Sequence, residues 1–469
     1  MAAMTPTELI SMPTPKGFKA LKPKRIELLP ANSTSDTAYR GSSNNRILFN
    51  IPAYVSSFMN VQRSYFSFKG QCVNTGTPGD EVRFKDGVPV IERLVIKSNG
   101  LLLSDCREYA EIERILNNFG SYAMSKAKAW EKGDYRTLMD EMTATNANAF
   151  ETLQSAKQMA SSATYNGAKG HTFRKYLSPA TIMTTDKMLP LGLLSASGGY
   201  ALQVEMYLAP AVKCVEPTGT QKAAALAAAA GYETSGDYNY LKSSPSPNLE
   251  YWLDDVKFNL ELLELPADIY ADFTNQLLMG GKFILPFTTF RSHKHYLAGG
   301  SQHNLNVSEA AKNVEVIYSV MREQNSNSLE FLGGKESSVV QVDKVQWRYG
   351  TAYFPQSLLE ADAGNGDKAF LEHALCGLDM LESHDPILSS MNNTTGFCRW
   401  EDKDFVLVNS FRSSKDRIDN GISTLSSGAP LQMTINFRSP VSSPVEILTF
   451  VEETMEMIIG QGGQISLVE

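Results

Sequence analysis

No apolar run in the 469-residue chain is long enough to span a bilayer, and its opening Met1-Ala-Ala-Met-Thr-Pro lacks the apolar core of a secretory signal. Neither a membrane-spanning helix nor a leader is expected. Cysteine is scarce: Cys72, Cys106, Cys214, Cys376 and Cys398 are odd in number and form no close pairs. That argues against a disulfide framework or a cysteine-based zinc site and favours reduced thiols. Without secretion, the sequons at Asn32, Asn306 and Asn393 are chance. A basic surplus is missing too. Lys and Arg total 43 against 51 Asp and Glu, a net charge of -8, which argues against nucleic-acid binding along the whole chain.

What is present is an ordinary folded composition, 42% hydrophobic and 20% charged, on a chain long enough for two to four domains. Its second half repeats the strand punctuation of the first. Ile91-Glu-Arg-Leu-Val-Ile-Lys-Ser-Asn-Gly100 with Leu101-Leu-Leu lines up with Val342-Asp-Lys-Val-Gln-Trp-Arg-Tyr-Gly350 with Thr351-Ala-Tyr-Phe. Leu202 to Leu208 pairs with Leu431 to Phe437, and Asp255 to Glu261 with Pro444 to Phe450. Three matches in the same order predict two tandem copies of one β-rich unit.

Residues 1–40 read as an extended basic arm, with Pro13, Pro15, Pro23 and Pro30 among the cations Lys16, Lys19, Lys22, Lys24 and Arg25. No strand pattern is expected before about Ile47. The first unit then occupies 41–266, with a long loop near 214–248 that holds the alanine run Lys222 to Ala230. Tyr109, Ile112, Leu116 and Phe119 mark one face of a helix, with Asp105 and Glu108 placed like a capping pair. A second helical stretch is expected from Arg136 to Ser162. Tyr251 to Leu265 reads as the closing strand. A linker helix carrying Ile269, Phe273, Leu277 and Leu278 follows Pro266 and precedes the second unit, so that this part covers 267–469. Ala369 to Leu381 is the second unit's counterpart helix.

Few residues invite chemistry. His293, His295 and His303 could supply metal ligands, but no carboxylate or cysteine close in sequence completes the shell, and Lys294, Gly299 and Gly300 suggest a loop. Ser383-His384-Asp385 before Pro386 reads as a turn, because a catalytic triad is assembled by geometry rather than adjacency. Gly333-Gly-Lys-Glu-Ser-Ser338 lacks phosphate-loop spacing. Gly460-Gln-Gly-Gly463 lies too near the terminus to hold a cofactor. The neighbours Asp254 and Asp255 face opposite sides of a strand. Trp252, Trp347 and Trp400 sit in strand-like contexts and suit packing better than sugar stacking. No catalytic constellation, cofactor site or metal site is expected.

The order of strands, hairpin, inserted helix, further strands and closing strand, given twice, resembles the double jelly-roll major capsid proteins of icosahedral DNA viruses. The likeness is to the polinton-like virus, virophage and adenovirus side of that lineage. It is carried by Ile91 to Gly100 with the Tyr109 helix, by Met188-Leu-Pro-Leu191 before Tyr200 to Leu208, and by Tyr251-Trp-Leu-Asp-Asp-Val-Lys-Phe258. The resemblance runs from about Ile47 to the C-terminus. It implies an all-β fold with inserted helices, two tandem antiparallel eight-stranded jelly rolls, and no enzymatic activity. It also implies a homotrimer of pseudo-sixfold outline in a virion shell, assembled inside the host cell. Its partners there are neighbouring capsomers, penton and minor capsid proteins, with genome contact at most through the arm. The rival reading is a carbohydrate-binding or carbohydrate-active β-sandwich, which as an enzyme needs a convergent carboxylate pair in a groove.

Overall fold

The computed structural model describes residues 22–32, 38–74, 82–84, 88–119, 171–177, 181–185, 187–194, 199–217, 232–235, 238–241, 249–297, 299–323, 342–360, 406–412, 421–425, 431–441, 444–460 and 464–468. Strands dominate, and every pairing between them is antiparallel. The alternation that predicts them is visible in burial. In Arg46–Pro52 and in Leu431–Phe437, every second side chain enters the core.

The four-stranded sheets of the two halves are copies in topology. In the first half, Arg46–Pro52, Tyr200–Leu208, Ile91–Ser98 and Leu101–Arg107 lie side by side; in the second, Gln302–Val307, Leu431–Phe437, Val342–Tyr349 and Ala352–Glu360 do. The facing sheets also correspond. Leu249–Glu264, Tyr65–Asn74 and His171–Lys175 are neighbours in one; Val445–Ile459, Val314–Glu323 and Val406–Ser410 are neighbours in the other. All three sequence repeats therefore fall on matching strands. The chain is a pair of tandem jelly-roll sandwiches.

The sheet chemistry is local. Asn99 and Gly100 both have positive φ, 48° and 82°, which a two-residue hairpin matched to strand twist requires. The helix Tyr109–Phe119 buries Tyr109, Ile112 and Leu116 as its spacing predicts. The first core is rich in rings: Phe66 packs on Phe68, Phe68 on Phe173, Phe173 on Phe84, and Phe84 on Tyr251, with centroids 5.1–5.9 Å apart. In the second, Trp347 is fully buried.

The basic arm is corrected at its C-terminal end. Lys22–Leu28 is a strand, in register with Leu249–Glu264 from Lys22 opposite Glu264 to Leu28 opposite Phe258. It is the outermost strand of the sheet, because Leu262 pairs with Lys24 on one side and Met59 on the other. Sequence pattern hides it. Its exterior residues Pro23, Lys24 and Arg25 are those that blunt an exposed sheet edge, and only Ile26 and Leu28 lean on the core. Strand structure thus begins well before Ile47. Lys16 and Lys19 lie outside the described residues.

Between the sandwiches runs the helix Ala267–Leu278, which follows Pro266 and ends at Gly280, where φ is +91°. Its Phe273 stands 5.7 Å from both Phe58 of the first half and Phe283 of the second, so the connection is packed into both. Among the described residues no helix is long and apolar enough to cross a membrane. The expected helices at Arg136 to Ser162 and Ala369 to Leu381, and the run Lys222 to Ala230, lie outside the described residues.

Candidate functional site: the seam between the two sandwiches

The densest chemistry lies where the sandwiches meet. The outer strand Leu101–Arg107 of the first half faces the outer strand Phe283–Leu297 of the second. Cys106 Sγ lies 3.8 Å from Thr289 Oγ1. Close by, Thr288 donates its backbone N–H to Thr184 Oγ1 at 2.7 Å, and Lys187 Nζ donates to the Ile284 carbonyl at 3.2 Å. At one end of this contact sits a buried network of charges.

Its centre is Lys213, held by the single-turn helix Ala211–Cys214 and only 3% exposed. Its Nζ donates to both oxygens of Glu92 at 2.7 and 2.8 Å, to Glu108 at 2.9 Å and to Glu111 at 2.8 Å. Glu108 ends the strand and turns the chain with a φ of 53°, and Glu111 lies in the first turn of the helix that follows. From the second half, Arg322 donates to Glu111 at 3.1 Å and to Glu446 at 2.7 Å, while Lys294 pairs with Glu108. Two residues along the helix from Glu111, Glu113 accepts from buried Lys175 at 2.6 Å.

Burial alone would raise the Glu108 carboxyl, but Lys213 and Lys294 outweigh it and hold the group well below the usual range. Lys213 itself is raised. Its burial works against the charge, and Glu111, Glu92 and Glu108 more than compensate. Four carboxylates (Glu92, Glu108, Glu111, Glu446) surround three cations (Lys213, Lys294, Arg322), so the network has one surplus negative charge. The surplus disfavours ionisation of one more carboxyl in the cluster. Burial, then the nearby Glu111, push Glu92 up from 4.5 to about 7 despite Lys213.

The pH consequence follows from linkage. A group with a raised folded pKa contributes its stability fully below its unfolded value and loses it as pH rises through the folded one. Between about pH 5 and pH 8 the chain is therefore expected to lose on the order of 2–3 kcal/mol through Glu92. Glu92→Gln should flatten that slope in denaturant titrations run across the window. Parallel slopes for both proteins would refute the assignment.

Glu92, Glu108 and Glu111 are also, among the described residues, the one trio of potential ligand atoms within 4.8 Å of one another. The Lys213 ammonium already lies among them, where a metal cation would bind. The histidines occupy other places. His293 and His295 lie in the strand Phe283–Leu297, not in a loop, and His303 lies in the opposite sheet with its ring 5.7 Å from Phe437. His293 does find a carboxylate that sequence spacing hides, with Nε2 3.0 Å from Glu309. That pair lines a cleft of about 380 Å³ between the sandwiches, together with Leu102, Asp105 and Arg291. Its charges are engaged with one another: Arg291 bonds Glu453 at 2.6 Å and Glu309 at 3.1 Å, and Asp105 is gripped by Arg93 at 2.6 and 2.7 Å. The Asp105 carboxylate is thus paired with Arg93, and that of Glu108 with Lys213 and Lys294.

Of the other residues singled out, Lys22, Lys24 and Arg25 lie in the edge strand, where Arg25 reaches Glu261 at 3.4 Å with its side chain 80% exposed. Trp347 is core, and Trp252 stacks under the Arg40 guanidinium, 3.6 Å from the ring centre. Asp255 has a φ of 46° at a break in strand register and pairs with Lys257 at 3.2 Å. Trp400, Gly333 to Ser338, Ser383 to Pro386 and 461–463 lie outside the described residues. The three cysteines described, Cys72, Cys106 and Cys214, are buried, and burial pushes the Cys106 thiol up to about 11.

By sequence, the chain matches no protein-family model and no curated protein. By structure it is similar to the Faustovirus major capsid protein, with a TM-score of 0.53 at 10% identity, covering 94% of this chain and 91% of that one. It is equally similar to the PBCV-1 virus capsid, with a TM-score of 0.54 at 7% identity, covering 96% and 97%. The chain has the double jelly-roll fold. At such low identity the likeness resides in topology, and both sandwiches take part in it, since the coverage leaves out little of either chain.

Proposed function

We propose that this double jelly-roll chain is a major capsid protein, a structural unit that associates in threes to build the shell of an icosahedral DNA virus. The observation that carries this reading is the likeness over nearly the whole chain to two viral capsid proteins, in a molecule whose conspicuous cluster of charges is ion-paired internally. Two like sandwiches in one chain give a three-chain assembly six similar corners, which tile a hexagonal lattice. On this reading the protein is not an enzyme. Its place is the virion, and its partners are further copies of itself, penton and minor capsid proteins. We place the division between the units at Pro266. The arm is confined to residues 1–21, where Lys16 and Lys19 face a neighbouring subunit or the interior, in reach of the genome's phosphates.

Light scattering and negative-stain imaging of the purified protein test this. Particles of three chains with a hexagonal outline are expected. A strictly monomeric chain that binds or cleaves glycans would establish the carbohydrate reading instead.

A further inference from the structure

The chain enters its first described strand beside the helix that joins the sandwiches. Lys22, the first residue of Lys22–Leu28, stands opposite Glu264, and Leu265 and Pro266 then lead directly into Ala267–Leu278. Whatever precedes Lys22 therefore starts within a few residues of that helix. An extended chain covers about 3.3–3.6 Å per residue and a helix about 1.5 Å, so about five or six extended residues match the helix from end to end.

Among the described residues nothing covers one flank of this helix. Asp268, Ala271, Asp272, Asn275, Gln276 and Leu278 are exposed, while Phe273 and Leu277 on the opposite flank are buried. The exposed flank is acidic along its length and apolar at its end. Asp268 and Asp272 are its charges, and the helix holds no lysine or arginine. Leu278 is 57% exposed, and Met279, which follows it, is 88% exposed. Residues 1–21 have the complementary sequence. Their charges are Lys16 and Lys19 against Glu8, and their apolar residues include Leu9, Ile10, Met12 and Phe18. Lys19 lies within about 10 Å of Lys22 along the chain, in reach of Asp268; Met12, ten residues before Lys22, can span about 33 Å and reach Leu278 and Met279.

We propose that residues 1–21 dock along the exposed flank of Ala267–Leu278 in their own chain. Leu9, Ile10 and Met12 cover Leu278 and Met279, and the carboxylates of Asp268 and Asp272 draw the basic stretch onto the flank. Lys16 and Lys19 stay at the surface of the docked arm, between those carboxylates and the neighbour or interior that they face. The occupant is the chain's own arm because its tether at Lys22 keeps it at high local concentration beside the helix. The arm thereby fastens the edge strand of the first sandwich to the connection between the two. The contact lies within one chain, so it does not depend on how many chains associate.

The reactivity of a thiol on the flank tests it. Met279→Cys is made in a full-length chain with Cys376→Ser and Cys398→Ser, the three other cysteines being buried. Its rate of modification by a maleimide is compared with that of the same chain carrying Leu9→Ser, Ile10→Ser and Met12→Ser. Burial of one such apolar side chain corresponds to a factor of about ten, so the triple change should speed modification about tenfold. A second chain combines Met279→Cys with Met12→Cys and is treated with a short bismaleimide. Peptides linked between the two positions should be recovered from chains that still run at 51.6 kDa. Equal modification rates would overturn the docking. So would a link found only in species of two or more chains, which would assign the flank to a neighbour's arm. Light scattering of the same samples counts the chains independently, so this docking and the three-chain reading can fail separately.

Discussion

Replacing Lys213 by methionine is expected to destabilise the chain by about 3–5 kcal/mol, the usual cost of leaving buried charge without its partner. Methionine keeps the length and apolar stem of the side chain, so packing is little changed. What is lost is the ammonium that donates to Glu92, Glu108 and Glu111 at 2.7–2.9 Å. Arg322 still reaches Glu111, but it is already shared with Glu446. With a total stability of about 5–15 kcal/mol typical of a domain, such a loss is severe. Equilibrium denaturation of the purified protein measures it. Adding Glu108→Gln and Glu111→Gln to the methionine variant should return a large part of the loss, because the repelling carboxylates go with the cation. If the single variant unfolds within about 1 kcal/mol of the parent, Lys213 does not hold the network together.

The second large effect is expected from shortening the chain. Removal of residues 1–21 leaves every described strand pairing in place, whereas removal of residues 1–28 takes away the whole edge strand. Each ladder hydrogen bond contributes about 0.5–1.5 kcal/mol net. Seven paired residues, with Ile26 and Leu28 against the core, therefore amount to several kcal/mol. The longer deletion also bares one side of Phe258 to Glu264, the end of a 16-residue strand and a ready template for aggregation. Gel filtration and limited proteolysis should find the shorter deletion folded and the longer one aggregated or cut within its first half. Equal behaviour of the two would show that the edge strand is dispensable.

The parts of this fold that announce themselves in sequence are those with local causes. Alternation marks Arg46–Pro52 and Leu431–Phe437, a turn dipeptide marks Asn99-Gly100, and helical spacing marks Tyr109, Ile112 and Leu116. The order of such segments was enough to reveal two copies of one topology. The seam was not legible, because its partners are distant: Lys213 and Glu111 are 102 residues apart, and Arg322 and Glu111 are 211 apart. A faint signal did exist. Glu111 and Glu113 flank Ile112 on a helix that is otherwise apolar on that side, and Lys213 stands between Val212 and Cys214. Charges in such company are buried only with partners. The edge strand Lys22–Leu28 was misread for the opposite reason: the proline and cations that protect an open edge are also what an unstructured arm contains.

The seam also determines how the molecule can deform. Its contacts are the charge-assisted bonds that Arg322 and Lys294 send across to Glu111 and Glu108, together with the wedge of Phe273 between Phe58 and Phe283. Rocking one sandwich against the other would pull buried Arg322 away from Glu111, a steep cost in a low-dielectric interior. Among the described residues the junction is therefore a stiff one. On the capsid reading proposed above, any curvature of the closed surface is then taken up at the joints between chains.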